Sequence, residues 1–327
     1  MDLHGARGAV REYVAWLLEE QCALPEFRDY LGGLLQIPGL VLSEYGGSGV
    51  MTGALLAFHA VCPDRDWRDV IPGVAAGELL YTTFQLIDKA IDGEVPEGAE
   101  DWDPEAVCNA STVIQTLSFR ALLELRERRF SHKQIEHCIR HMCSGCARVA
   151  EAQHLDHLAE RIQNPTLELA HRIATGKSAS IDQIIGQIGA GLGTDDAEIV
   201  GAFTEFSAAL GVYSALANDL NDALPENTHK ADVRRRKKTL PIVYLMSQTP
   251  SGEYVKEKCQ LRSSDSIPLN EEIAIRQALL DSGAIDYTSV VAESYRLKAQ
   301  HILRSVEDRV DVSPLISTLL KGRSEDN

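Results

Sequence analysis

The chain has 327 residues, of which 44% are hydrophobic and 24% charged, the balance of a globular protein long enough to bury a sizeable core. A net charge of −16 argues against a nucleic-acid binder, which needs clustered Lys and Arg against the phosphate backbone. No uninterrupted apolar run reaches the ~18 residues of a membrane span, and the N-terminus M-D-L-H-G-A-R-G-A-V lacks a charged start followed by an apolar core, so the expectation is a cytoplasmic protein with no membrane span.

Apolar residues recur at three and four spacing almost throughout, which predicts roughly ten or more helices. The pattern is clear over Val10 to Leu18 and again over Val74 to Ile91. The second stretch closes on L-I-D-K-A-I-D, where Asp88 and Asp92 stand four residues apart and therefore share one helix face. Phe84 lies one turn before Asp88, and Tyr81 nearly one turn earlier still. An acidic break follows from Gly93 to Glu105, and helical spacing returns from Val113 to Leu125.

The seven cysteines are odd in number and widely spread, which predicts reduced thiols. His137, His141, Cys143 and Cys146 tempt a zinc reading, but on one helix they point several ways and ordinary packing is the preferred reading. Farther on, H-R-I-A-T-G-K-S-A-S places Arg172 and Lys177 in a helical stretch.

The strongly apolar run Ile199 to Leu220 ends in A-N-D-L-N-D. Asn218 and Asp222 share a face there, Asp219 crowds the same end, and Glu226 continues the spacing at i+8, with Pro225 as a potential helix stop. Carboxylates this close repel unless a positive charge sits among them. Two such acidic faces from separate helices can look at each other across a bundle and hold hard divalent cations such as Mg²⁺, which takes oxygen ligands and leaves positions for water and phosphate. The polar, basic stretch from Ala223 to Arg236 and the following K-K-T-L-P then add cations, Lys237 among them, suited to a phosphate whose other oxygens bind metal. Ser247 to Asn270 reads as a third break, and Ala274 to Leu280 as a further helix. No break has the composition of a linker, so the reading is one all-α domain over residues 1–327.

The order of these segments resembles the trans-isoprenyl diphosphate synthase, or polyprenyl synthetase, superfamily. The resemblance rests on the acidic helix end at Asp88 and Asp92, A-Q-H-L-D (Ala152 to Asp156), G-K-S-A (Gly176 to Ala179), N-D-L-N-D, and D-V-R-R-R-K-K-T-L-P (Asp232 to Pro241). It runs from about Gly46 to the C-terminus, and the second acidic motif also looks like that of the competence-pheromone isoprenyltransferases. The resemblance implies a single isoprenoid-synthase-type helical bundle around a central cavity, likewise a homodimer. It implies Mg²⁺ held by Asp88, Asp92, Asn218 and Asp222, with Asp219 beside them, and an allylic prenyl diphosphate met by Lys177, Lys237 and Gln153 of A-Q-H-L-D. Phe84 and Tyr81 would stand where the family limits prenyl chain length, with simple helix packing the alternative for both and the preferred reading for Tyr81.

Three departures shape the functional expectation. Lys89 occupies the second Asp position of the family's D-D-x-x-D, and Asn218 the first Asp of the second motif. The basic motif that binds isopentenyl diphosphate corresponds to G-G-S-G-V-M (Gly46 to Met51), without cations. From Gly93 to Phe119 there is no Lys, Arg or His, an unfavourable field for a second anion. Asn218, Asp222 and Glu226 also resemble the N-D-x-x-S-x-x-x-E metal motif of class I terpene synthases, with Arg172 at the separation of their diphosphate sensor. The first expectation is therefore Mg²⁺-dependent ionisation of one allylic diphosphate, with cyclisation or quenching of the cation. Transfer to another acceptor such as an indole or peptide, ordinary chain elongation, and a non-catalytic role stand as alternatives.

Overall fold

The computed structural model describes residues 2–43, 49–99, 102–227, 232–235, 237–249, 252–260 and 267–320. Among them the chain is all-α: fourteen α-helices, one 3₁₀ turn and one π-helical turn, with no strand. The cation-free stretch Gly46 to Met51 lies partly outside the described residues, as does Arg236. Backbone packing divides the chain into two compact units, the first from residues 1–145, 182–207 and 300–327, the second from residues 146–181 and 208–299.

In the first unit, α1 (Leu3–Gln21) starts where the Asp2 carboxylate accepts the Gly5 N–H at 3.0 Å, and it buries Val10, Val14, Leu17 and Leu18. After α2 (Pro25–Leu35), α3 (Gly49–Val61) is buried through all nine residues from Val50 to Phe58. α4 (Ile71–Asp92) begins with a proline in its first turn and carries Leu79, Leu80 and Leu86, all fully buried. α5 (Pro104–Glu124) lies along α4, entered through Asp103, whose side chain accepts the Glu105 N–H at 3.0 Å.

The first-unit part of α8 (Ser180–Gly193) packs on α4 through missing side chains. A Cβ on Gly73 would meet Leu192 at 2.8 Å and Ile188 at 3.2 Å, and one on Gly77 would meet Ile188 at 3.3 Å. The two helices therefore run antiparallel. On the other side of α8, a Cβ on Gly186 would collide with the Phe203 carbonyl and stand 2.6 Å from the Thr204 nitrogen.

In the second unit, α7 (Leu167–Ala174) is capped by Thr166, whose hydroxyl accepts the Leu169 N–H at 3.1 Å. A π-helical turn, Thr175–Ala179, joins it to α8. α10 (Leu240–Gln248), α12 (Leu269–Asp281) and the start of α13 (Ala284–Arg304) enclose a core of Ile242, Leu245, Met246, Ile275, Leu279 and Ala284. The break expected from Ser247 to Asn270 is interrupted by a helix, α11 (Gly252–Gln260); Gly252 seats it directly against the α10 backbone at Met246.

Two helical stretches, Trp67–Asp92 and Ala197–Ala223, are long and apolar enough by length and composition to cross a membrane. The reading of uninterrupted runs missed them because scattered polar residues break each run while mean hydropathy stays at 1.3 and 1.4. Within the fold, 78% and 56% of their most apolar windows are buried, so packing accounts for much of that apolarity.

Candidate active site

Both acidic stretches fall at the carbonyl ends of long apolar helices. α4 stops at Asp92 because Gly93 takes the left-handed conformation (φ 63°). Its N–H reaches the Ala90 carbonyl at 3.2 Å, and the Glu94 N–H reaches the Lys89 carbonyl at 2.8 Å, a Schellman turn. Asp88 and Asp92 are half-buried and share a face of the last turns. Lys89, between the two aspartates, pairs with Glu94 of the following loop at 3.6 Å. Phe84 and Tyr81 are both half-buried. Burial, then the Asp182 and Glu78 carboxylates, push the Tyr81 phenol well above its usual range.

The second acidic end belongs to α9 (Ala197–Ala223). Asp219 is the most perturbed carboxyl there. Burial pushes it up to about 8, the Asp232 and Asp222 charges add to the rise, and the Lys237 ammonium and the Leu240 N–H oppose it. Asp222 is half-buried with Oδ1 fully enclosed, whereas Asn218 is exposed. α9 ends at Ala223, and Glu226 stands exposed in the turn beyond it. This corrects the i, i+4, i+8 expectation: Pro225 has no N–H to continue the helix, so the shared face stops at Asp222 and the terpene-synthase likeness loses its third position.

The basic segment packs beside this end. Lys237 Nζ is 3.7 Å from Asp232 Oδ1, and its N–H returns to the Asp232 carbonyl at 3.1 Å. Arg234 Nε donates to Glu272 Oε2 at 3.2 Å. Glu272 is 1% exposed and also takes two bonds from the fully buried Arg276 (Nε at 3.1 Å, an Nη at 2.8 Å). The other Arg276 Nη donates to the Asp222 carbonyl and, at 3.0 Å, to that of Leu224. Sequence reasoning missed this pair; its signal is E-x-x-x-R within α12, the spacing of an ordinary exposed helix pair.

Elsewhere in the same unit, Lys177 lies in the π-helical turn and binds Asp156 of A-Q-H-L-D at 3.0 Å. A Cβ on Gly176 would stand 2.7 Å from that of Ala152, so the G-K and A-Q segments are pressed together. Gln153 is half-buried and Arg172 exposed. The structure thus brings Asp219, Asp222, Asp232 and Lys237 together, and separately Lys177 with Asp156. The His137 and His141 rings lie 4.3 Å apart on α6 (His132–Ala159), tilted by 52°, with His137 Nε2 2.6 Å from Gln187 Oε1, while Cys143 is exposed.

Tested for metal, the α9 end offers hard oxygen donors in a field that already favours extra positive charge, which fits Mg²⁺ in donor chemistry. Among the described residues no three His, Cys, Asp or Glu side chains are grouped so as to hold a metal ion by themselves. An ion there would complete its shell with water and substrate oxygen, the usual habit of Mg²⁺.

Residues 53–274 match the family model described as polyprenyl synthetase. Geranylfarnesyl diphosphate synthase of Aeropyrum pernix is 25% identical over 255 residues, covering 72% of this chain and 76% of that protein. The polyprenyl synthetase of Streptomyces coelicolor A3(2) superposes with a TM-score of 0.77 at 20% identity, over 93% of both chains. A polyprenyl synthase from Caulobacter crescentus CB15, complexed with calcium and isoprenyl diphosphate, gives 0.72 at 19% identity, over 92% of this chain and 89% of that one. With more than half of its length matched by the family model and the same all-α architecture, the chain belongs to the polyprenyl synthetase family.

Proposed function

We propose that the protein is a prenyl diphosphate synthase that lengthens an allylic diphosphate with isopentenyl diphosphate. The single observation that carries the diphosphate chemistry is the crowded carboxylate end of α9, where Asp219 is raised to about 8 among Asp222 and Asp232 with Lys237 alongside. Elongation displaces cyclisation as the first reading for two reasons. The Aeropyrum pernix relative is a geranylfarnesyl diphosphate synthase, and Glu226 does not continue the helix face that a terpene-synthase motif would use.

In this reading the acidic end of α4 (Asp88 and Asp92) and that of α9 (Asn218 and Asp222) each offer ligands to divalent cations, with Mg²⁺ the expected metal. Bound metal supplies Lewis-acid charge to the departing diphosphate. Lys237, beside Asp232, and Lys177, which holds Asp156, are the cations that meet the diphosphate in this reading. Phe84 and Tyr81, on the α4 face that leads to Asp88, limit the length of the growing chain. The allylic substrate, isopentenyl diphosphate and a second copy of this chain are the proposed partners; sedimentation at micromolar concentration tests the last.

Cyclisation or quenching stays as the second reading because Gly93 to Phe119 carries no Lys, Arg or His. Incubation with Mg²⁺ and geranyl, farnesyl or geranylgeranyl diphosphate, with and without isopentenyl diphosphate, separates the two. Elongation gives longer diphosphates only when isopentenyl diphosphate is present. Hydrocarbons or alcohols formed without it would establish the second reading instead. Asp88→Ala is expected to lower turnover by about 10²-fold or more, the scale on which losing one transition-state charge stabiliser acts.

A further inference from the structure

We infer that Arg276 and Glu272 are positioning residues for the metal–diphosphate site, fixing the end of α9 that carries Asp222 and tying the basic segment to it. The inference rests on the diphosphate reading of that site and adds two residues to it.

The last carbonyls of a helix have no intrahelical donor. At the end of α9 one guanidinium nitrogen of Arg276 satisfies both the Asp222 and the Leu224 carbonyls. Asp222 therefore has its main chain held by Arg276 while its carboxylate charge acts on Asp219. Glu272 accepts from the rest of the guanidinium through one oxygen and from Arg234 through the other, so one buried carboxylate links the α9 end to the segment that contains Asp232 and Lys237.

Stability does not explain this arrangement. Glu272 and Arg276 are essentially without solvent, and a buried ion pair commonly gains no more than a well-packed apolar pair of similar volume. Charge alone does not explain it either, because Glu272 offsets one of the two guanidiniums it holds and leaves a single net positive charge. What the trio provides is a fixed distance between two pieces of chain that must face one diphosphate together. The planar fork of Arg276 holds the two carbonyls through one nitrogen and Glu272 through the other two, a span that the point charge of Lys cannot reproduce.

The test uses the full chain, with Mg²⁺ and inorganic diphosphate as the probe and titration calorimetry as the readout. Glu272→Gln with Arg276→Met leaves no buried charge of this pair alone, so the double variant is expected to stay folded, with a lower melting temperature from the lost bonds to the Asp222 and Leu224 carbonyls; circular dichroism checks its helicity. Its Mg²⁺-dependent affinity for diphosphate is expected to fall about 10- to 100-fold, the effect of removing supports behind metal ligands. Arg276→Lys is expected to recover only part of the loss. A folded double variant that binds Mg²⁺ and diphosphate as wild type does would overturn the inference while leaving the diphosphate reading intact. Should the double variant fail to fold, Arg276→Lys decides: wild-type affinity overturns the inference, and a loss supports it. Wild-type protein that shows no Mg²⁺-dependent diphosphate binding would sink both.

Discussion

Asp182 shows how a single carboxyl can be placed against its own ionisation. It follows the G-K-S-A-S-I segment on α8, and α8 lies antiparallel to α4, so its neighbours are α4 residues, Glu78 and Tyr81. Burial, and then the Glu78 charge, push its carboxyl from the ordinary 3.8 up to about 7. Glu78 is itself fully buried and accepts the Met51 N–H at 2.7 Å. Between those two pKa values the folded state binds more protons than the unfolded one, so this group's stability is full below about pH 4 and is lost as pH rises through about 7. Asp182→Asn removes the charge and keeps the shape. It is expected to stabilise the protein at pH 8 by something on the order of 1–3 kcal/mol, with an advantage that shrinks steadily toward pH 4. Urea unfolding at pH 4.5, 6 and 8 measures it; a pH-independent difference would show that Asp182 does not titrate in that window.

At the scale of elements, glycines decide how closely the helices of the first unit approach. On α8, Gly186 touches the α9 backbone, and backbone cannot move aside as a side chain can, so Gly186→Ala is expected to cost about 1–3 kcal/mol. Gly201, on α9 with open space around its Cβ position, has no such neighbour, and Gly201→Ala should stabilise by about 0.5–1 kcal/mol through helix propensity. Thermal unfolding of the two variants side by side tests whether contact or propensity governs each position. Three-and-four periodicity made most of these helices legible, and i, i+4 spacing found the shared faces of Asp88 with Asp92 and of Asn218 with Asp222. Other features left weaker marks. The end of α9 before Glu226 was written in Pro225. The π-helical turn around Lys177 has no composition of its own, and such turns recur at functional sites. Glu272 and Arg276 stand at the spacing of a solvated surface pair, and only tertiary packing on α10 and the α9 end buries them. α11 was hidden because its polar residues give little apolar rhythm.

For the whole molecule, the −16 charge and the proposed metal chemistry make separable claims about added ions. A chain this acidic repels itself when compact, and monovalent salt screens that repulsion beyond a Debye length of about 10 Å at 0.1 M. Raising NaCl from about 20 to about 300 mM is therefore expected to lift the melting temperature by about 2–4 °C, the equivalent of roughly 1 kcal/mol, and to do so equally in wild type and in Asp222→Asn. Mg²⁺ with inorganic diphosphate acts differently, because a ligand that binds only the folded state stabilises by mass action, roughly 2.7 kcal/mol at a hundredfold excess over Kd. At matched ionic strength that combination should raise the wild-type melting temperature by about 5 °C beyond the NaCl effect, and Asp222→Asn should lose the increment while keeping the response to NaCl. Mg²⁺ alone, without diphosphate, should give a smaller rise, since the described residues form no closed cage and the ion depends on phosphate oxygens to complete its shell. A full increment from Mg²⁺ alone, retained in Asp222→Asn, would assign the stabilisation to screening of the acidic surface and remove the α9 end as the metal's anchor.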